Sequence, residues 1–85
     1  MTPARYRKCL ERLGKPMPAF ASMRAFARHL NIDNTSARRY GFGSKAIPPE
    51  LAKWLEMLMA APDPLATFEL HPYPEGWAAT ADRAA

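Results

Sequence analysis

A single cysteine, Cys9, stands in the 85 residues, so no disulfide can close within the chain. That excludes the small secreted scaffolds held by disulfides and fits a reducing compartment. Long apolar runs are missing too: no stretch approaches the ~20 residues a membrane-spanning helix needs. The opening MTPARYRKCLERLG is too polar and too charged for the apolar part of a signal peptide, so a cytoplasmic location and no membrane contact are expected. Histidine is scarce. His29 and His71 lie far apart, neither has a partner at ligand spacing, and no metal site is expected. No Ser, His and Asp arrangement has the context of a catalytic triad, and the carboxylates are scattered. The chain reads as a non-enzyme without a cofactor. Gly41-Phe42-Gly43 is followed by no Lys-Ser or Lys-Thr in P-loop order, and glycine is common at a helix end, so no phosphate cradle is read there.

Negative charge is nearly absent from the first half. Residues 1–45 carry ten Lys and Arg against Glu11 and Asp33, a net of +8. Residues 46–85 carry Lys53 and Arg83 against six acidic residues, a net of −4, and the halves together give the +4 of the whole chain. A basic front joined to an acidic rear implies one face for a polyanion and another turned elsewhere.

What is present is organised around SMRAFARHLNIDNTSARRYG, residues 22–41. It reads as two short helices joined by a three-residue turn. Phe26, Leu30, Ile32, Ala37 and Tyr40 supply buried positions, and Ala27 is small where the helices pass. Asn31 suits a left-handed corner, and Asp33 is the expected N-cap of the second helix, its carboxylate accepting backbone amides. Helix, turn and basic helix are the layout of a DNA-binding helix-turn-helix. With Ala37 and Tyr40 inward, 100° steps turn Thr35, Arg38 and Arg39 outward and put Asn34 and Ser36 on the flanks. Arginine's planar fork suits guanine edges and phosphates, and Asn34 at the helix start suits adenine.

The remaining segments follow from caps and prolines. Thr2 and Pro3 open a first helix that stops at Gly14, with Tyr6, Leu10 and Leu13 on its apolar face. KPMPAFA, residues 15–21, reads as an irregular loop with Met17 and Phe20 tucked in. Ser22 caps a helix over residues 23–30. Lys45, in the loop after Gly43, is placed to reach the DNA backbone. Pro48 and Pro49 start a fourth helix with Leu51, Leu55 and Leu58 as its core stripe. Beside it run Trp54, Met57 and Ala61, which serve either as further core or as a dimer seam. Pro62 and Pro64 end that helix. Leu65, Phe68 and Leu70 fit a short helical turn or a short strand. HPYPEGW is expected to be extended, across this domain or a partner, with residues 78–85 frayed.

The run FARHLNIDNTSARRYGFGSKAIPPELAKWLE is similar to small bacterial and phage helix-turn-helix proteins of the lambda-repressor and Cro-like group. Ala27, Arg28, Ile32, Asp33, Arg38, Arg39, Gly43, Ile47, Pro48, Pro49, Glu50 and Trp54 carry the resemblance, which covers roughly the first sixty residues. The link between helices one and two is longer than usual for that group. Met23 stands where glutamine is frequent, Tyr40 where tryptophan is, and Asn31 where glycine is. The resemblance implies a compact all-helical domain that binds DNA, often as a dimer on a two-fold symmetric operator.

Together these readings give an all-α fold of four helices, or five, containing a helix-turn-helix. Residues 1–61 form the DNA-binding domain, and residues 62–85 form a Pro-rich aromatic tail for dimerisation or docking. The expected function is a sequence-specific regulator of transcription, a repressor, reading the major groove of double-stranded DNA with helix 34–41. Asn34, Thr35, Ser36, Arg38, Arg39, Lys45, Arg24 and Arg28 are the expected DNA contacts on an inverted-repeat operator. Trp54, Met57, Phe68 and Leu70 are the homodimer-interface candidates. The alternative is a phage-type inhibitor that docks on a protein partner through the same scaffold.

Overall fold

Prolines and capping side chains set where the helices begin. The computed structural model describes residues 1–75, and among them it holds five α-helices and no strand. The first helix, α1, spans Pro3–Leu13. Thr2 Oγ1 accepts the Arg5 amide at 3.1 Å, and Pro3 occupies a position where no amide partner is needed. The second, α2, spans Met23–Leu30, and Ser22 Oγ accepts the Ala25 amide at 3.1 Å. The third, α3, spans Asn34–Phe42. The fourth, α4, spans Pro49–Ala60 and carries Glu50 in its first turn, where negative charge meets the positive helix end.

The start of α3 departs from expectation. Asp33 holds the N-cap position, yet its side chain accepts no backbone amide. The carboxylate is exposed, so water satisfies it, and the helix starts on the Asp33 carbonyl, which accepts from the Ala37 amide at 3.1 Å.

The link between α1 and α2 is more regular than a loop. Residues Pro18–Phe20 form a 3₁₀ turn, and Met17 and Phe20 are buried. Gly14 is required by space: a Cβ there would stand 2.7 Å from the Phe20 carbonyl oxygen. Between α2 and α3 the chain turns at Asn31, with φ 59° and ψ 44°. The Ile32 amide reaches the Ala27 carbonyl at 3.0 Å and the Asn31 amide the Arg28 carbonyl at 3.2 Å, so two end carbonyls of α2 are satisfied. Glycine takes this conformation freely, and a Cβ without a polar group strains it. Asn31→Ala is therefore expected to lower stability by about 1 kcal/mol and Asn31→Gly to change it little. Urea denaturation measures both, and an unshifted midpoint for Asn31→Ala would contradict the strain.

Tyr6 sits at the centre of the core. Its ring meets Phe26 and Tyr40 edge-on, with centroids 6.0 and 5.8 Å away. Its hydroxyl donates to the Ala37 carbonyl at 2.8 Å, which satisfies a group that would otherwise be buried at a cost. Burial also pushes the phenol well above its ordinary pKa, so the proton stays on the donor. Around Tyr6 pack Leu10 and Leu13 of α1, Leu30 of α2, and Leu51, Leu55 and Leu58 of α4. Cys9 is fully buried there, and desolvation raises its thiol pKa, which keeps it an inert apolar group. At the rim, Arg5 forks onto Glu56 at 2.8 and 2.7 Å and ties α1 to α4. The hydrogen bonds from Arg5 lower the Glu56 pKa, although both groups are wet enough for the pair to add little stability.

The segment for which helix and strand both fitted is a helix. The fifth, α5, spans Pro64–Leu70, and Asp63 Oδ1 accepts the Ala66 amide at 3.2 Å. Phe68 folds back onto the core. Residues 71–75 are non-helical and lie across their own chain. Trp54 Nε1 donates to the His71 carbonyl at 2.7 Å, and His29 Nε2 stands 2.6 Å from the Pro72 carbonyl. The Tyr73 ring stacks on His29 with centroids 4.7 Å apart. Trp77 and the frayed end expected over residues 78–85 lie outside the described residues.

Candidate nucleic-acid interface

The orientation of α3 is set by its small residues. Ala37 and Tyr40 are fully buried, and Gly41 lies against α1. A Cβ on Gly41 would stand 3.4 Å from Arg7 Cγ and 3.6 Å from the Tyr6 ring, at ordinary contact distance, so α3 and α1 lie close at this point. Arg7 Nη1 also donates to the Gly41 carbonyl. With that side fixed inward, 100° steps bring Thr35 and Phe42 to the midline of the opposite face and set Arg38 and Arg39 on either side of it. All four are exposed, as is Asn34 at the helix start.

This face is positive. It carries two guanidinium groups, and Asp33 precedes it at the cap. On α2, Arg24 and Arg28 are exposed and stand one turn apart on one side of the helix. Among the described residues, no carboxylate lies within ion-pair distance of Arg24, Arg28, Arg38 or Arg39. Arg5 and Arg7 are different, since Glu56 and the Gly41 carbonyl hold them in place.

One of the expected contacts belongs to the interior, and Lys45, half-buried, is turned toward it. Ser36 is buried, and its hydroxyl accepts from Lys45 Nζ at 3.1 Å. The Lys45 ammonium also stands 5.7 Å from the Tyr40 ring centroid. The loop after α3 thus folds back onto the helix flank, where it covers Ser36. Reading from sequence placed Ser36 on an accessible flank because helical phase gives a direction and says nothing of what lies over it.

Phe42 is the residue that sequence reading missed. Taken as the middle of a Gly-Phe-Gly loop, it is instead the last residue of α3, seven positions after Thr35 and on the same line. Its side chain is 69% exposed, and the Arg38 guanidinium lies 5.9 Å from its ring centroid. The signal was the helical count itself, continued one residue past Gly41.

The dimer candidates separate in the same way. Trp54 is 3% exposed, and its ring meets Phe20 at 5.6 Å and Phe68 at 6.1 Å. It is core, packed between α5 and the 3₁₀ turn, with one edge on a cavity that Met57, His71 and Tyr73 also line. Phe68 is half-buried against the same rings, whereas Met57 and Leu70 remain exposed. No three His, Cys, Asp or Glu side chains gather as a metal-binding group among the described residues. No described helix is long and apolar enough to cross a membrane.

No protein-family model, no curated protein and no solved structure matches the chain.

Proposed function

We propose that this protein is a helix-turn-helix regulator of transcription that reads the major groove of double-stranded DNA with α3 and acts as a repressor. The outward face of α3 carries the reading. Asn34 and Thr35 open it, Arg38 and Arg39 follow, and no carboxylate interrupts it. Helix start residues and arginine forks are the groups that reach base edges in this geometry. Arg24 and Arg28 of α2 supply phosphate contacts, which position the protein without reading sequence. The resemblance to the lambda-repressor and Cro-like group supports the same reading. It also suggests two copies on an inverted repeat, their recognition helices about 34 Å apart.

Phe42 favours a second reading. An exposed aromatic beside arginine is the composition of a protein–protein anchor, so the same face also suits an inhibitor that docks on a partner protein.

Selection of binding sites from random duplex DNA with the purified chain separates the two. An enriched inverted repeat supports the DNA reading and its symmetry; an unenriched pool favours the docking one. On the recovered site, binding is expected to weaken steeply with salt. Two phosphates neutralised per copy by Arg24 and Arg28 give a log–log slope of about −3.6, so a fourfold rise in salt lowers affinity roughly a hundredfold. Affinity that stays flat over that range contradicts phosphate binding by α2.

A further inference from the structure

Phe42 lies at the midline of the α3 face, and the arginine roles above leave it unused. A singly exposed apolar residue means little by itself. Three observations about this one point the same way. It shares the outward line with Thr35, between the directions of Arg38 and Arg39. Its ring faces the Arg38 guanidinium at 5.9 Å. It also stands on a fixed turn: Gly43 follows at φ 84°, and the amides of Gly43 and Ser44 both bond to the Arg39 carbonyl, at 3.0 and 3.1 Å.

We infer that Phe42 is a specificity-determining residue of α3 that packs its ring on the 5-methyl group of a thymine, while Arg38, laid along that ring, reads the guanine beside it. This inference rests on the DNA-binding reading of α3. The chemistry follows from what the major groove offers. Its base edges are hydrogen-bond donors and acceptors except for the small cytosine C5–H and the thymine methyl, which is the largest apolar group there. An aromatic ring lowered onto any other edge covers polar atoms without replacing their water. Arg38 pairs with guanine through the edge of its guanidinium and leaves a flat face for the ring. Successive base pairs are about 3.4 Å apart, so two side chains in contact fall on the same or neighbouring pairs. The charge of the face suits DNA, and the ring then selects a step within it.

The test uses the full chain and the duplex recovered by selection. Each thymine is replaced in turn by uracil, which removes the methyl group alone. One thymine adjoining a guanine is expected to respond, with about fourfold weaker binding, the worth of one buried methyl or methylene group. Phe42→Ala should weaken the parent duplex by a similar factor, and combining it with that uracil should add no further loss. Phe42→Leu should retain part of the effect. Because the side chain is mostly exposed, the thermal midpoints of both variants should match the parent. Tolerance of uracil at every position, or losses that multiply in the combined experiment, would overturn the inference. The DNA reading survives either result if Arg38→Ala still weakens binding. If no duplex is bound at all, both readings fall, and Phe42 becomes the anchor for a protein partner.

Discussion

Arg38→Ala is expected to weaken binding to the selected duplex by about 1–3 kcal/mol, roughly 5- to 150-fold, and to relax preference at one base pair. Arg38 is exposed, no carboxylate among the described residues holds it, and Tyr6 packs against the back of its helix. The planar fork makes two hydrogen bonds to guanine in one fixed geometry, so less side-chain freedom is lost per bond than with an ammonium. Arg38→Lys separates charge from geometry. The ammonium keeps the attraction to phosphate and loses the fork, so general duplex binding should persist while preference for the selected base falls. Arg39→Ala is expected to behave like one of these two, according to whether it meets a base or a phosphate. The folding midpoint should not move in any variant, because none of these side chains enters the core. Titration of each variant against the selected and a scrambled duplex is the measurement. Unchanged affinity for both alanine variants would remove α3 from the interface.

Much of the fold was legible because its signals are local. Thr2 and Ser22 cap helices because a hydroxyl one step before a helix meets an amide three residues on. Asn31 takes the left-handed corner because few residues tolerate it. Leu51, Leu55 and Leu58 are buried as their spacing requires. What escaped was what covers a given face. Trp54 and Met57 belong to one stripe in sequence, yet residues 62–75 lie over Trp54 and leave Met57 out, and that choice depends on contacts 14 or more positions away. Ser36 was misplaced for the same reason, since Lys45 reaches it from nine residues on. Phe42 was hidden by a different error. Two glycines were read as the end of the helix, whereas Gly41 is a packing glycine within α3 and only Gly43, at positive φ, ends it. The directions of Arg38 and Arg39 were legible because one buried pair, Ala37 and Tyr40, fixes the phase of a nine-residue helix.

The second large effect concerns Trp54. Trp54→Ala is expected to lower stability by about 3–5 kcal/mol. A chain of this length has roughly 4–13 kcal/mol in total, so much of the folded population is at risk at moderate temperature. The ring sits at the centre of a cluster that joins three parts of the chain, and Phe68 also meets Phe20 and His29 directly. Phe20 comes from the 3₁₀ turn, Phe68 from α5, and the stacked His29 from α2, with ring centroids 5.6, 6.1 and 6.4 Å away. Its indole nitrogen holds the His71 carbonyl, which pins the segment after α5. Trp54→Phe keeps most of the apolar area and loses that bond. Since His71 is exposed, water can take the freed carbonyl, and the loss should be about 1 kcal/mol. Met57→Ala, one turn away and 39% exposed, should change stability by less than about 0.5 kcal/mol in the monomer. Urea denaturation at two protein concentrations tens of-fold apart distinguishes core from seam. Phe20, Phe68 and His29 of its own chain surround the ring, so the Trp54→Ala loss is expected to be the same at both concentrations, even if two copies meet through Met57 and Leu70 on DNA. A Trp54→Ala loss that grows with concentration, together with a parent midpoint that rises with it, would return Trp54 to an interface between copies and remove it from the core.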